Sequence, residues 1–247
     1  MMKLVFLHGL LGTADDWQNV IERCSQFDCI ALNLPFHGKA QNSKAQNFED
    51  CCQLLDKQIQ SAVKNEPFFL IGYSLGGRIA LYYALQAQCH KKNLQGLVLE
   101  GANLGLIHET KKAARWQHDL QWATRFCTEP APQVLEHWYQ QPVFAHLTPQ
   151  QRQVLIEKRT PNCGANIGKM LTATSLAKQP YFGDKVRSTS LPIYYLVGEK
   201  DLKFRQVAER ENLNMHLVPH AGHNAHLENP QAFAQLLTEI VGSSSLL

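Results

Sequence analysis

A serine, an aspartate and a histidine occur along this 247-residue chain in an order that allows them to act as a catalytic triad. Ser74 is the centre of GYSLG at residues 72–76, which matches the pattern G-x-S-x-G. Asp201 and His223 follow it. A serine hydroxyl is a poor nucleophile or base unless an imidazole accepts its proton, and the imidazole needs a carboxylate that fixes its tautomer. The pattern predicts acyl transfer or proton abstraction at Ser74.

The segments around Ser74 predict how its hydroxyl is presented. Residues 68–73 form an apolar run short enough for a buried strand, and residues 79–84 favour a helix. A sharp turn between them would hold the serine in a strained conformation, with its hydroxyl clear of the backbone. The flanking glycines fit this turn because a Cβ there would collide with the neighbouring strand or helix. An ordinary strand-to-helix turn that contains a serine is the alternative, and the five-residue pattern alone does not exclude it.

Asp201 and His223 both lie where a strand is predicted to end. Residues 193–197 predict a strand that is followed by a glycine turn and Asp201. Residues 215–218 predict another strand, and His223 lies in the next turn, before the last helix. Open parallel sheets place their sites at the carboxyl ends of strands. Alone, Asp201 would be read as a helix N-cap and His223 as a loop histidine, but their order and position favour the triad.

A glycine-rich turn, HGLLG at residues 8–12, directly follows the first predicted strand. Such a turn leaves backbone N–H groups unpaired, so the N–H of Leu10 could donate to a developing oxyanion. The N–H of Leu75, at the start of the helix after Ser74, would be the second donor. We expect these two N–H groups to form an oxyanion hole whatever their side chains.

Strands alternate with helices along most of the chain, which predicts an α/β fold with a mostly parallel sheet flanked by helices. Residues 103–190 interrupt this rhythm with a long helical segment that contains several prolines. We interpret residues 1–102 and 191–247 as one core and residues 103–190 as a helical cap over the active site. A separate helical domain is the alternative. Further strands are predicted at residues 3–7, 29–32 and 97–99, and further helices at residues 14–23, 48–64 and 230–241.

Composition limits the functional classes. The chain has 24 basic and 21 acidic side chains, and its net charge of +3 is too small to suggest nucleic acid as a partner. Its seven cysteines are odd in number and show no repeated spacing, which predicts reduced thiols in the cytoplasm. The short apolar run at the N terminus suits neither a signal peptide nor a membrane span. We expect a cytoplasmic protein without membrane contact, either a monomer or a weak homo-oligomer.

Four histidines near the C terminus raise the question of a zinc site: His216, His220, His223 and His226. Zinc sites draw their histidines from one helical face or add further Cys or Asp ligands. This stretch is instead predicted as a strand end and a turn that contains Gly222. No metal site is predicted.

Taken together, these motifs resemble the α/β-hydrolase superfamily over the full length of the chain. Within it, the chain is similar to the 2-succinyl-6-hydroxy-2,4-cyclohexadiene-1-carboxylate synthases of menaquinone biosynthesis. The similarity lies in GYSLGGR, AARW, RFCTEP, WYQQPVFA and GHNAH, at residues 72–78, 113–116, 125–130, 138–145 and 222–226. That family usually has Met where this chain has Leu75, a departure of little consequence because this residue contributes its N–H.

The resemblance implies an elimination and assigns residues to it. A base removes a ring proton, the enolpyruvyl group leaves as pyruvate and a diene forms, with no water, metal or organic cofactor required. Ser74, activated by His223 and Asp201, would take the proton. The family's substrate is a small polycarboxylate, and arginine suits such a ligand because the planar guanidinium binds a carboxylate through two bonds. The family's substrate-binding arginines and aromatic wall correspond here to Arg78, Arg115, Arg159, Tyr73, Trp138 and Phe144.

Three alternatives stay open. Any one of the arginines could instead form a surface salt bridge. The same triad could form an acyl-enzyme at Ser74 and act as a carboxylesterase or thioesterase. The chain could also be a non-catalytic small-molecule receptor that retains the serine turn, although an intact triad and oxyanion turn argue against this interpretation.

Overall fold

A six-stranded sheet forms the centre of the computed structural model, which describes residues 2–244. Its strands lie in the order β2-β1-β3-β4-β5-β6, and every neighbouring pair is parallel. This confirms the predicted α/β fold with a parallel sheet. The strands are β1 (Lys3–Leu7), β2 (Asp28–Leu32), β3 (Phe68–Tyr73), β4 (Leu94–Glu100), β5 (Ile193–Gly198) and β6 (Asn214–Val218).

Helices cover both faces of the sheet. They are α1 (Gln18–Ile21), α2 (Phe48–Val63), α3 (Leu75–Leu85), α4 (Glu109–Thr128), α5 (Ala131–Trp138), α6 (Pro149–Arg159), α7 (Gly164–Ala173), α8 (Gly183–Ser188), α9 (Leu202–Arg210), α10 (Ala225–Glu228) and α11 (Pro230–Ser244). Short 3₁₀ turns are formed by Ala14–Trp17, Gly38–Ala40, Pro142–Phe144 and Leu176–Lys178. No helix within residues 2–244 is both long and apolar enough to cross a bilayer.

Successive residues of the central strands pack on opposite faces of the sheet. In β1, Val5 and Leu7 belong to the core beneath α2 and α3, whereas Leu4 and Phe6 belong to the core beneath α11. The side chains of both sets are fully buried. A strand covered on both faces reads as a continuous apolar run, which is why β1 and β3 match their predicted bounds.

Several predicted elements differ in extent, three of them markedly. The strand expected at residues 97–99 spans Leu94–Glu100. It runs through Gly96, where a Cβ would lie 2.5 Å from Phe69 Cε1, so the ring of Phe69 occupies that space. The helix expected at residues 14–23 is a 3₁₀ turn followed by the short α1. The last helix continues to Ser244 instead of ending at residue 241.

The chain order places two loops side by side at one edge of the sheet. β1 is followed by β2 on one side, and the chain then returns to β3 on the other side of β1. The HGLLG turn after β1 and Ser74 after β3 therefore open into the same crevice, the usual ligand position in such a sheet.

The long segment between β4 and β5 contains α4 to α8, and no strand occurs within it. It has a small apolar cluster of its own, which includes Phe126, Val134 and Ile167. Leu11 of the HGLLG turn belongs to the same cluster. The helical segment is thus packed directly against the loop that follows β1.

Candidate active site

Ser74 occupies a strained turn between β3 and α3. Its φ is 50° and its ψ is −106°, a conformation that non-glycine residues rarely adopt. Its N–H donates to the carbonyl of Glu100 at 2.7 Å, which anchors the turn to β4. This geometry is the one that the G-x-S-x-G pattern predicts, and the ordinary strand-to-helix turn is excluded.

Close backbone approach explains the two glycines of the pattern. A Cβ on Gly72 would lie 2.5 Å from the carbonyl oxygen of Gly76. A Cβ on Gly76 would lie 2.4 Å from the carbonyl oxygen of Leu7 in β1. Both obstacles are backbone atoms that cannot rotate away, so only glycine fits at either position.

Asp201 and His223 form a buried pair. Asp201 Oδ2 and His223 Nδ1 are 2.7 Å apart, and the exposed fraction is 5% for each residue. The other carboxylate oxygen, Oδ1, accepts from the N–H of Phe204 at 3.2 Å, so Asp201 also caps α9. Asp201 is therefore both a helix cap and the partner of His223.

The imidazole of His223 uses Nδ1 to bind Asp201, so Nε2 is the nitrogen that could accept a proton from another group. The ring stacks on Phe204 at a centroid distance of 4.8 Å, and Phe144 contacts it edge-on at 5.9 Å. Gly101, with a φ of 53°, lies so close that a Cβ there would be 2.9 Å from His223 Cε1. Ser74 and His223 line one cavity of about 300 Å³.

Two buried histidines shape the loop that supplies the predicted oxyanion donors. His8 Nε2 accepts from the N–H of Leu34 at 3.0 Å, and His37 Nε2 accepts from the N–H of Leu11 at 3.2 Å. Burial lowers the pKa of His8 to about 3 and that of His37 to about 4, so both rings stay neutral and act as acceptors. Among residues 2–244, no acceptor is bonded to the N–H of Leu10 or of Leu75. Both residues line the cavity.

Arg78 enters the cavity from α3. Its Nη1 donates to the carbonyl of Thr174 at 2.9 Å and lies 3.4 Å from Gln179 Oε1. Burial and the nearby charge of Arg115 lower the pKa of Arg78 to about 9, so the guanidinium remains protonated at neutral pH. Within residues 2–244, its Nε and Nη2 are not bonded to an acceptor.

Arg115 reaches the same cavity from α4. Its Nε donates to Asp119 Oδ1 at 2.8 Å, while Ser175 donates to the other oxygen of that buried carboxylate at 2.7 Å. About a third of the Arg115 side chain is exposed, at 34%. Asp119 thus binds the guanidinium of Arg115 through Nε.

Arg159 is bound to a carboxylate of the chain itself. Its Nη1 and Nη2 donate to Asp16 Oδ1 and Oδ2 at 2.9 and 2.7 Å, and both side chains are buried. Lys158 Nζ lies 2.8 Å from the same Asp16 carboxylate. Arg159 does line a small cavity beside Ser74 and His223, but the fork expected to hold substrate is occupied by Asp16.

The three predicted aromatic residues surround the triad. Phe144 and Trp138 line the main cavity, and Trp138 packs edge-on against Trp122 at 5.0 Å. Tyr73 lies behind the triad: its hydroxyl donates to Asn224 Oδ1, and its ring is 5.2 Å from that of His223. Burial keeps the pKa of Tyr73 well above its usual range, so its hydroxyl remains a donor.

The four C-terminal histidines are not brought together. His223 pairs with Asp201, and His226 pairs with the buried Glu100 at 2.9 Å. His216 contacts Tyr194, and His220 is exposed. Within residues 2–244, no three His, Cys, Asp or Glu side chains are grouped so that they could hold a metal ion.

Several residues of the site escaped the sequence reasoning. Asp16 and Lys203 were missed, and so was Glu228, which binds His146 at 2.9 Å and accepts from the N–H groups on both sides of His223. The only sequence signal for Glu228 is its place shortly after the G-H turn. Asp16 gave no signal, because its partner Arg159 is 143 residues away.

Comparison with known proteins places the chain. The model of the alpha/beta hydrolase fold family matches residues 3–230. The chain is 57% identical over 241 residues, 98% of each protein, to a Haemophilus influenzae protein provisionally assigned as a 2-succinyl-6-hydroxy-2,4-cyclohexadiene-1-carboxylate synthase. It is 45% identical over 244 residues to the synthase of that name from Yersinia pseudotuberculosis, covering 99% of this chain and 89% of that one.

Solved structures agree with this placement. MenH from S. aureus superimposes with a TM-score of 0.90 at 27% identity, covering 99% of this chain and 94% of that one. A thermophilic esterase from Thermogutta terrifontis has a TM-score of 0.81 at 19% identity, covering 99% and 90%. The second likeness shows the shared fold alone.

Proposed function

Because the chain belongs to the α/β-hydrolase family, and within it to the 2-succinyl-6-hydroxy-2,4-cyclohexadiene-1-carboxylate synthases, we propose that Ser74, His223 and Asp201 carry out the synthase reaction. The protein is a menaquinone-pathway enzyme that eliminates pyruvate from 2-succinyl-5-enolpyruvyl-6-hydroxy-3-cyclohexene-1-carboxylate. The observation that carries the proposed mechanism is that one cavity contains Ser74, His223 and cationic side chains. A site that binds a neutral ester does not need those cations. A site that binds a polycarboxylate needs them to offset the loss of carboxylate hydration.

The proposed reaction starts with proton transfer. His223 Nε2 accepts the hydroxyl proton of Ser74, and Asp201 stabilises the imidazolium through Nδ1–H. The Ser74 oxygen then removes a ring proton of the substrate. The electron pair of that C–H bond, at C2, forms the C2=C3 double bond, the existing C3=C4 pair shifts to C4=C5, and the C–O bond from C5 to the enolpyruvyl group breaks. The departing pyruvate enolate takes up the proton held by His223.

Negative charge develops on the substrate during this elimination. The N–H groups of Leu10 and Leu75 are free to donate to it. Arg78 and Arg115 face the same cavity and add positive potential to it. We assign the two N–H groups to the oxyanion hole and the two arginines to the substrate carboxylates.

The helical segment at residues 103–190 is proposed to act as a cap. It contributes Arg115, Trp138 and Phe144 to the cavity, whereas Ser74 and His223 come from the sheet. Closing the site with side chains from this segment keeps water away from the charged intermediate. Arg159 is reassigned within this proposal: it joins the cap to the HGLLG turn through Asp16 instead of binding the substrate.

Pyruvate release tests this function. Purified protein should release pyruvate from the enolpyruvyl substrate without added metal. Ser74→Ala, Asp201→Asn and His223→Ala should each lower kcat by roughly a thousandfold or more, and the losses should not add because the three act as a unit. Ser188→Ala, which removes an exposed hydroxyl in α8, is the matched control and should retain full activity.

Mass spectrometry of quenched turnover separates elimination from hydrolysis. If Ser74 acts as a base, its oxygen never bonds to substrate carbon and the protein mass stays unchanged. A covalent adduct on Ser74 formed from this substrate would contradict the elimination and favour an esterase or thioesterase that works through an acyl-enzyme.

A further inference from the structure

Lys203 lies in the first turn of α9, two residues beyond Asp201. It lines the main cavity together with Ser74, Arg115 and His223. Its ammonium group is 5.1 Å from the centroid of the Phe204 ring, and the His223 imidazole stacks on that ring at 4.8 Å. The position of Lys203 is therefore tied to the same aromatic ring that orients the catalytic imidazole.

The surroundings of Lys203 differ from those of an ordinary surface lysine. Lys203 is solvent-exposed at the rim of the cavity that it lines. Partial desolvation there lowers its pKa, and the positive charge of Arg115 lowers it further, whereas Asp201 raises it. Lys203 and Arg115 are thus close enough to repel each other across the cavity, and an anion between them would relieve that repulsion.

The charges of the other cations show why Lys203 matters. Arg159 is neutralised by Asp16 through both of its terminal nitrogens. Arg115 shares its charge with Asp119. Among residues 2–244, Lys203 forms no ion pair with an Asp or Glu side chain, and Asp201, the acid closest to it in the chain, is committed to His223.

The substrate carries one carboxylate on its ring, one on the succinyl chain and one on the enolpyruvyl group. Each must find a positive partner in the cavity to offset the loss of its hydration. With Arg159 occupied, Arg78 and Arg115 alone supply fewer cations than the ligand has carboxylates.

We propose that Lys203 is a substrate-binding residue that holds one carboxylate of the substrate jointly with Arg115 and thereby selects a polycarboxylate. This inference rests on the proposed function. A lysine suits the position because its compact ammonium can follow the carboxylate from the mouth of the cavity, whereas a guanidinium requires a fixed planar geometry.

Steady-state kinetics of pyruvate release test the role of Lys203. Lys203→Gln should raise KM by about tenfold while kcat stays within about threefold of the parent, because a contact made equally in the ground and transition states changes KM alone. Lys203→Arg keeps the charge but not the compact ammonium, and should recover only part of the affinity. Lys200→Gln removes an equal charge from an exposed residue outside the cavity and should leave KM unchanged.

A binding measurement removes turnover from the test. The intact substrate would be titrated calorimetrically into Ser74→Ala and into Ser74→Ala/Lys203→Gln. The double variant should bind it more weakly, with a dissociation constant about tenfold larger. The neutral glutamine is tolerated at this exposed position, and melting temperatures of the variants check that the fold is intact.

Each outcome has a defined meaning. A parent enzyme that releases no pyruvate would overturn the proposed function and the role of Lys203 with it. An active parent with an unchanged KM in Lys203→Gln would overturn the role of Lys203 alone. A lower kcat at constant KM would also contradict substrate binding, and so would an equal rise of KM in Lys200→Gln.

Discussion

At the scale of single residues, the proposed catalytic histidine, His223, is held by contacts on several sides. Asp201 bonds its Nδ1, Phe204 stacks on its face, and Glu228 fixes the backbone around it. Glu228 Oε2 accepts from the N–H of Gly222 at 2.8 Å, and Oε1 accepts from the N–H of Asn224 at 3.2 Å. The carboxylate of Glu228 is thus a positioning group for the loop that carries His223.

Glu228→Gln should lower kcat by about tenfold, because an amide offers only one oxygen and one of these two N–H groups loses its acceptor. KM should change little, since Glu228 does not line the cavity. Glu239→Gln on the exposed face of α11 is the control and should behave as the parent. A rise of KM alone, measured by pyruvate release, would contradict a positioning role.

At the scale of elements, the serine turn depends on how closely β3, α3 and β1 approach one another. The backbone of α3 lies against both its own strand and the end of β1, at distances that exclude a Cβ at residues 72 and 76. The strain at Ser74 persists because these neighbours leave the turn no alternative path. The geometry of the turn therefore depends on three features together: the strand β3, the start of α3 at Leu75, and glycine at residues 72 and 76.

Gly72→Ala and Gly76→Ala should each lower the free energy of unfolding by several kcal/mol, because the new methyl group overpacks the site, and each should lower the melting temperature. Gly242→Ala in α11 is the matched control, because no atom lies within 4 Å of the position that its new methyl group would occupy. That change should be neutral or stabilise by about 0.5–1 kcal/mol through helix propensity. Equal effects of the three substitutions on thermal unfolding would contradict the packing argument.

At the scale of the whole molecule, the buried pair Asp16–Arg159 connects the sheet side to the helical segment. Asp16 follows the HGLLG turn, and Arg159 ends α6. Burial raises the pKa of Asp16, but Arg159 and Lys158 outweigh it and hold the pKa well below its usual range. Leu11 and Asn162 add a second connection, since Asn162 Nδ2 donates to the carbonyl of Leu11 at 3.0 Å.

Arg159→Met should cost about 3–5 kcal/mol of unfolding free energy, because it leaves the Asp16 carboxylate buried with less compensation. The loss should be largest near neutral pH. A lowered folded-state pKa contributes stability above the unfolded value of 3.8, and that contribution disappears as pH falls toward the folded value. The parent and variant should therefore converge in stability on acidification, as denaturant titrations at several pH values would show.

Asp16→Asn/Arg159→Met tests the pair itself. The double variant should be more stable than Arg159→Met, because it no longer buries an uncompensated charge. If the two variants unfold at the same denaturant concentration, the cost of Arg159→Met does not come from Asp16.

Local patterns in the sequence were enough to determine much of this protein. The bounds of β1 and β3, the strained turn at Ser74 and the order of Ser74, Asp201 and His223 all follow from short runs of residues. Each follows from residues that are near one another in the chain. The strands follow from apolar runs that are buried on both faces, the turn follows from glycines where backbones approach closely, and the triad positions follow from polar residues just beyond strand ends.

Only the tertiary structure decided which charges meet. The sequence does not distinguish the three predicted arginines from one another. In the structure, Arg159 is bound to Asp16. Arg78 and Arg115 instead face the cavity together with Lys203. Asp16 and Arg159 are 143 residues apart, and their contact depends on how the helical segment packs against the HGLLG turn. The free energy of a cation depends on the carboxylates within a few ångströms of it, and chain packing, not local sequence, sets those distances.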